Sequence, residues 1–584
     1  MTGSRRSAEP ARGSAGRRGA GACHALALAA ALALATGARA EDAVVPYASV
    51  HDSAFRVRAE DAVVPYASVY DSAFRVRAEG LPIRHVEVAC RDIYEPVPPG
   101  RFAGLYRVAN QLHVRTRPTT VRAQLLFGPG DRWSAERMLE TQRILRDFEF
   151  LEPDTIRARI VGDSVDVLVG TRDQWTTQPE VNLERGGGRT YGSVGFTEQN
   201  LLGLGVGVEF VFREEPTGHT HSAEISARRI LGTQLEGRFK AGTGTGGVAN
   251  TVLLRDPYRS LDDDRAWTTG LWRASVDQML FRDGQLSARF PFESKQVALE
   301  WGTGERRGDG VVRRLTAAFG MQDRRYGPTR PEPGEPDLFP GGDEELDLRW
   351  LSGRITLWRP RFIERRGIEY FDPVEDYDVG RLVSFETGLI LRALGSTADE
   401  GLVRLRLEGG HVTRRFGFGM ARARVSSRIR GGPRETLAHL DARWVQQPAR
   451  DVAIVFAALG DAADRAPREV QYVVGGLNGL RAYPVQELAG TQVWRFNAET
   501  RWVAKRSVWD VTSIGGAVFF DSARAWGTAG APEPWHLDAG FGLRLSFPHA
   551  SLHQVARLDV AFPLSPTRDG RRSPVFSFGS SQAF

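Results

Sequence analysis

The chain has 584 residues, enough for two or three domains or for one large barrel with an appendage. Lysine and arginine total 77 against 71 acidic residues, but residues 1–40 alone hold six arginines and one glutamate. The remainder is close to neutral, which gives no ground for nucleic-acid binding. No run of 18 apolar residues occurs, which excludes a helical membrane span but not a β-barrel, whose strands are apolar only at every second position.

Residues 1–40 read as a secretory signal peptide. Arg5, Arg6, Arg12, Arg17 and Arg18 form a basic start, Ala25–Ala35 a short apolar core, and Ala38-Arg39-Ala40 an A-x-A cleavage site. Cys23 lies in this leader, so the mature chain keeps Cys90 alone and forms no internal disulfide. Residues 40–58 (AEDAVVPYASVHDSAFRVR) recur at 59–77 with only His51 replaced by Tyr70. Two copies are too few for a solenoid, so 41–80 is expected to be an exposed linker carrying a local duplication.

Residues 81–176 have the texture of a small α/β domain. Ile83–Ile93 reads as a strand, and Phe102–Leu112 and Thr119–Phe127 as helices. Ser134 is a fair N-cap for a helix running to about Asp147, with Met138, Ile144, Leu145 and Phe148 on one face. Thr155–Ile160 and Ser164–Gly170 pair as a hairpin around Gly162-Asp163. Three stretches, TRPTTVRAQLLFGPGDRW (Thr116–Trp133), MLETQRILRDFEFLE (Met138–Glu152) and VDVLVGTRDQW (Val165–Trp175), resemble a polypeptide-transport-associated (POTRA) domain. That resemblance implies a periplasmic domain that receives client polypeptides by strand addition at its sheet edge. A generic α/β spacer is the alternative.

From 177 to 584 the pattern becomes one of alternating strands and charged, glycine- and proline-rich turns. Val206, Val208, Phe210 and Phe212 alternate with Gly207, Glu209 and Val211; Leu558, Val560 and Phe562 alternate with Arg557, Asp559 and Ala561. Soluble sandwiches alternate too. Full charges on the polar face, aromatic residues at strand ends and a last strand that runs to the chain's end favour a transmembrane antiparallel β-barrel. The length allows about sixteen strands. In the final strand, Phe576, Phe578 and Phe584 share one face, with Gly579 between them, a pattern expected of a C-terminal insertion signal.

Five motifs in order resemble the BamA/TamA-like outer-membrane assembly factors, also called bacterial surface antigen proteins. They are GFTEQNLLGLG (Gly195–Gly205), the loop Gly475–Tyr483, Phe519-Phe520-Asp521-Ser522-Ala523, DVAFPL (Asp559–Leu564) and the terminal FSFG…F. The loop holds Gly475, Gly476, Arg481 and Tyr483; Ala482 and Ala523 stand where the family has glycine. In that family the loop arginine locks an inward-folded loop against the barrel wall. Strand parity independently puts Asp521 with Phe519 on one face, and Glu499 with Arg495, Asn497 and Arg501 on another, each opposite bulky apolar groups. A buried guanidinium requires carboxylate partners, so Arg481 is expected to pair with Glu499, Asp521 or both; an exposed loop arginine is the alternative.

No catalytic constellation is present. His219 and His221 alone do not make a metal site, and GTGTGG at Gly242–Gly247 lacks the helix that a phosphate site requires. No enzyme, metal or cofactor is expected. The resemblance implies insertion or translocation of polypeptides at the bacterial outer membrane. The implied partners are outer-membrane lipid and unfolded outer-membrane or secreted clients, with periplasmic chaperones or accessory proteins as further candidates. A two-partner-secretion-type exporter and a passive pore or structural surface barrel are the alternatives.

Overall fold

The computed structural model describes residues 66–584, apart from 187–188, 216–217, 338, 415, 477, 505–511, 528–533, 548, 550–554, 569, 571 and 581–584. The leader, the first repeat copy and Phe584 lie outside the described residues.

An N-terminal α/β domain comes first. It consists of β1 (Ala67–Ser68), α1 (Ser72–Ala78), β2 (Ile83–Arg91), α2 (Ala103–Leu112), α3 (Pro118–Arg122), α4 (Ala135–Arg146), β3 (Leu151–Pro153), β4 (Arg157–Val161) and β5 (Ser164–Asp173). The sheet runs β1-β4-β5-β2, with β3 also on β5, and only β2 is parallel to its neighbour. Trp133, Met138, Leu145, Ile156, Val165, Val167 and Val169 form its buried core. The helix expected over 119–127 is shorter, ending at Arg122.

The linker expected over 41–80 needs correction. From Tyr66 onward the second repeat copy belongs to the domain. β1 pairs with β4 through Ala67↔Ala158 and Ser68↔Arg157. Asp71 caps α1, its carboxylate accepting from the N–H groups of Ala73 and Phe74 at 2.9 and 3.1 Å. Phe74 lies edge-on to Trp133 with ring centroids 5.7 Å apart, and Val69 and Ala78 are fully buried. Three apolar residues spaced over ten positions suffice to dock a strand and two turns of helix onto a core that already exists. They are too few to announce a domain on their own.

The second unit is a closed sheet of twenty-one strands between Thr177 and Ser580. One of them, Arg330–Pro331, pairs only with the Gln285–Arg306 strand; the rest make an antiparallel wall. The count exceeds the expected sixteen because several connections are tight. Strands ending at Gly186, Glu215, Gly244 and Arg282 are followed by strands starting at Arg189, Gly218, Gly247 and Gln285. No helix among the described residues is long and apolar enough to cross a membrane. The wall supplies the crossing: Phe210, Trp301, Leu351, Phe385, Phe456, Phe541 and Phe562 are exposed on its outer face, as a lipid-facing belt requires. The wall is uneven, with its longest strand at 22 residues (Gln285–Arg306) and its last at 6 (Val575–Ser580).

The domain sits against one mouth of the barrel. Glu140 of α4 accepts the Leu261 N–H at 2.8 Å, and Asn200 donates to the Thr116 hydroxyl at 2.7 Å. Arg146, at the end of α4, clasps both oxygens of Asp376 at 2.7 and 2.8 Å and reaches Glu364 at 2.7 Å. These two carboxylates belong to a hairpin, Phe362–Arg365 with Glu375–Asp378, inserted between wall strands Glu344–Arg359 and Arg381–Ile390. The connection at its tip turns into the lumen, where Ile368 is buried.

Candidate functional site

The opposite mouth sends its own segment into the lumen. Between wall strands Val452–Asp464 and Gln492–Val503, the short strands Tyr472–Val474 and Leu488–Gly490 pair and carry the glycine-rich loop inward. Gly475, Gly476 and Gly479 take φ of 139°, 60° and 99°. A side chain at Gly475 would place its Cβ 2.0 Å from the Pro484 carbonyl, so both the turn and the close approach demand glycine there. The Gly476 N–H donates to the Tyr483 carbonyl at 2.9 Å and closes the loop on itself. Ala482 is not among the residues with positive φ, so the glycine this position lacks is not needed for this backbone path.

The loop presents Arg481 to the wall. Its Nε and Nη2 donate to the two oxygens of Asp521 at 2.7 and 3.0 Å, and Nη1 donates to Glu499 at 2.8 Å. Asp559 lies 3.6 Å from Nη1. The guanidinium stands over the Phe519 ring, 3.3 Å from its centroid. The arginine side chain is 2% exposed and its carboxylate partners are fully buried. At that depth, removing one partner of a bidentate pair strands a charge, so the arrangement is strongly constrained.

The neighbouring loop residues are fixed as well. The Ala482 N–H donates to Asp538 at 3.0 Å, and the Tyr483 hydroxyl lies 2.9 and 2.8 Å from the carbonyls of Leu537 and Ser565. Tyr483 also meets the His536 ring edge-on at 5.3 Å. Asn497 donates to Asp521 at 2.8 Å and to the Gly479 carbonyl at 3.2 Å.

The wall is built to receive this loop. Asn497 pairs with Asp521 across the first two strands beneath it, and Asp521 pairs with Asp538 across the next. Two carboxylates directly opposite would repel; the guanidinium and the Ala482 N–H offset that. Gly540 and Gly542 keep the adjoining positions empty. A Cβ at Gly540 would lie 2.4 Å from the Phe519 ring, and one at Gly542 would lie 1.9 Å from Asp559. Arg544 fills the space beside Gly542, donating to Asp559 at 2.5 Å and to Glu499 at 3.4 Å. Four arginines (Arg481, Arg501, Arg544 and Arg557) thus face four carboxylates (Glu499, Asp521, Asp538 and Asp559). Asp538, Asp559, Arg544 and Arg557 were not singled out from the sequence. Their strand parity, with Leu543 and Leu558 on the other face, carried the signal.

The terminal aromatics are placed apart from this cluster. Phe576 is 65% exposed on the outer face. Phe578 stands opposite Leu183 of the first wall strand, Thr177–Gly186, and Gly579 stands opposite Arg557. His219 and His221 lie ring to ring at 5.4 Å, and no group able to hold a metal ion occurs among the described residues.

Residues 447–584, which hold the loop, its arginine and all four carboxylates, match the model of the Omp85 superfamily domain. No curated protein sequence matches the chain. Three similar solved structures are BamA from Haemophilus ducreyi lacking POTRA domains 1–3 (13% identity, 85% of this chain and 84% of that one, TM-score 0.37), CdiB from Acinetobacter baumannii (11%, 86% and 74%, 0.40) and CdiB from Escherichia coli (11%, 85% and 76%, 0.41). The C-terminal part of the chain, residues 447–584, is thus similar to the Omp85 superfamily domain.

Proposed function

We propose that this barrel inserts unfolded polypeptides into the bacterial outer membrane through the seam between its first and last wall strands. One observation carries the reading. Among the described residues, the last strand, six residues long, meets the first at Ser577↔Glu184 and Phe578↔Leu183. The Ser513–Trp526 and His536–Ser546 strands nearby are paired along their length, from Ser513↔Ser546 to Ala523↔His536. Strand pairing is held by main-chain hydrogen bonds, so a join closed by a six-residue strand is a cheaper place for an incoming strand to enter than the long joins beside it. The N-terminal domain is POTRA-like in this reading, faces the periplasm, and offers the free edge of β2 to an extended client.

The Arg481 cluster is the fixed part of the mechanism. It pins the loop against the strands from Gln492 to Pro563, next to the seam, so that the wall there keeps its shape while the last strand exchanges partners. Phe576, Phe578, Gly579 and Phe584 serve as the chain's own insertion signal.

The test uses the full chain in liposomes with a urea-denatured barrel client, folding being scored by heat-modifiability. The expected result is accelerated client folding. In a Cys90→Ser background, Leu183→Cys with Phe578→Cys oxidised across the seam should abolish the acceleration, and reductant should restore it. Acceleration that survives the cross-link overturns the seam. No acceleration, with a dedicated secreted client crossing the bilayer instead, assigns the chain to export; conductance with no client effect assigns it to a passive pore.

A further inference from the structure

Two segments fill the lumen beside the strands that bind Arg481, and they enter from opposite mouths. The glycine-rich loop brings Arg481 down onto Glu499. The hairpin on the domain side brings Ile368 up onto Phe418, Val445 and Val455. Register shows how close they come. Phe418 pairs with Val445, Val445 with Val455, Val455 with Glu499 and Glu499 with Phe519, a single row across the wall. The hairpin tip and the arginine of the loop therefore occupy adjoining stretches of the same row.

Arg501 joins them. It lies two residues from Glu499 on the same face of the Gln492–Val503 strand and is 3% exposed. Its Nε donates to Glu499 Oε1 at 3.0 Å, and its Nη1 donates to the Ile368 carbonyl at 2.8 Å. The other oxygen of Glu499 accepts from Arg481. One carboxylate thus carries the loop arginine on one side and, on the other, the wall arginine that holds the hairpin's Ile368 carbonyl.

The hairpin can transmit a displacement because its turn is tied internally. Glu375 accepts the N–H groups of Ile368, Glu369 and Tyr370 at 3.0, 3.1 and 3.1 Å, and the Tyr377 hydroxyl as well. At its base the same hairpin holds the N-terminal domain. Asp376 and Glu364 take Arg146, Glu364 takes the Tyr70 hydroxyl at 2.6 Å, and Arg143 lies 3.6 Å from the Phe362 ring centroid. An unbroken chain of contacts runs from Tyr70 and α4 through the hairpin and Arg501 to Glu499 and Arg481.

We propose that the hairpin couples docking of the N-terminal domain to closure of the Arg481 loop, with Arg501 as the positioning residue at the joint. When the domain is docked, the hairpin presents the Ile368 carbonyl to Arg501, which in turn orients Glu499 toward Arg481. Releasing the domain loosens the hairpin and weakens the loop's hold; opening the loop loosens the domain by the same free energy. A continuous set of contacts is a route for coupling, and coupling itself is measured by non-additivity. The device concerns the closed molecule and stands whether the barrel inserts or exports its client, so the two readings fail separately.

The experiment follows loop opening in the full chain in nanodiscs. In a Cys90→Ser background, Ala482→Cys places a reporter thiol at a buried loop position, and maleimide labelling reads its exposure. Arg146→Ala releases the domain, checked by protease cleavage between the domain and the first wall strand. The expected outcome is faster labelling on domain release, by roughly five- to 150-fold for a coupling of ordinary size. Arg501→Met should raise labelling by itself, and adding Arg146→Ala to it should raise labelling no further. If Arg501→Met does not fold, Arg501→Lys serves, since lysine keeps a charge near Glu499 but cannot fork to the Ile368 carbonyl. Unchanged labelling with a demonstrably released domain overturns the proposal, as do two effects that simply multiply.

Discussion

The two segments that enter the lumen hold on in opposite ways. The loop from the far mouth is held by charge: one guanidinium, three carboxylates within reach and an aromatic face, all sealed from water. The hairpin from the domain mouth is held by an apolar tip on Phe418, Val445 and Val455, by main-chain hydrogen bonds to its own Glu375, and by single contacts of Arg501 and Arg443 with the Ile368 carbonyl and Glu369. A charge cluster is all-or-none, because each member is costly without the others. An apolar tip gives way gradually. The loop is therefore suited to a defined closed state, and the hairpin to a part that shifts.

The largest break in that comparison is Arg481→Ala. It leaves Glu499 and Asp521 buried without their cation and should cost about 3–5 kcal/mol. The measurement is loss of the heat-modifiable folded band and a lower urea midpoint. Arg481→Lys should recover part of this, since one ammonium cannot serve both carboxylates in bidentate fashion. A wild-type midpoint for Arg481→Ala would mean the loop is held by Tyr483 and its glycines instead.

A smaller effect is expected at the domain end. Arg146→Ala removes charge-assisted bonds to Asp376 and Glu364 that are partly open to water, a loss of about 1.5–3 kcal/mol at most, in domain docking rather than in barrel stability. Protease access to the segment joining domain and barrel should rise while the barrel's own urea midpoint stays put. A parallel fall in both would make the domain an integral part of the barrel fold.

Smaller again is a pH effect at Tyr70. Burial, reinforced by Glu364, pushes its phenol up to about 12 from an ordinary value near 10. Between those values an undocked tyrosine gives up its proton and the docked one keeps it. Docking should thus hold up to about pH 10 and weaken progressively as the pH rises toward 12. Tyr70→Phe should remove that alkaline slope at the price of one hydrogen bond, about 0.5–1.5 kcal/mol. A slope that persists in Tyr70→Phe would place the titrating group elsewhere. The smallest effect is expected from deleting 41–58, which leaves Tyr66–Arg77 intact; domain stability should move by no more than about 0.5 kcal/mol.

The barrel was legible because period-two alternation runs through every wall strand, and lipid outside with charge inside makes that alternation sharp. Arg481 could be named from the family resemblance of its glycine-rich loop, and Glu499 and Asp521 as its partners from strand parity. The hairpin at Phe362–Asp378 was not legible. Its charged residues, Arg365, Arg366, Glu369 and Asp372, have the composition of an exposed turn, yet Glu369 pairs with Arg443 of the wall, and Ile368 and its carbonyl seat the turn inward. The strand count was missed for a related reason, since a two-residue connection and a ten-residue one differ little in composition. The domain's first strand and helix were missed because duplication made them look like filler.

That duplication imposes a condition on folding. Residues 40–58 and 59–77 offer the domain two nearly identical segments for one place beside β4. The downstream copy has the advantage of lying next to β2, since seating the upstream copy would loop out the intervening 19 residues. The copies differ at one position, His51 against Tyr70, and Tyr70 is the residue whose hydroxyl reaches Glu364 on the barrel hairpin. Within the groove the copies are indistinguishable. At the barrel they differ, because the downstream copy adds a phenol contact to Glu364 that the upstream copy, with His51, does not have.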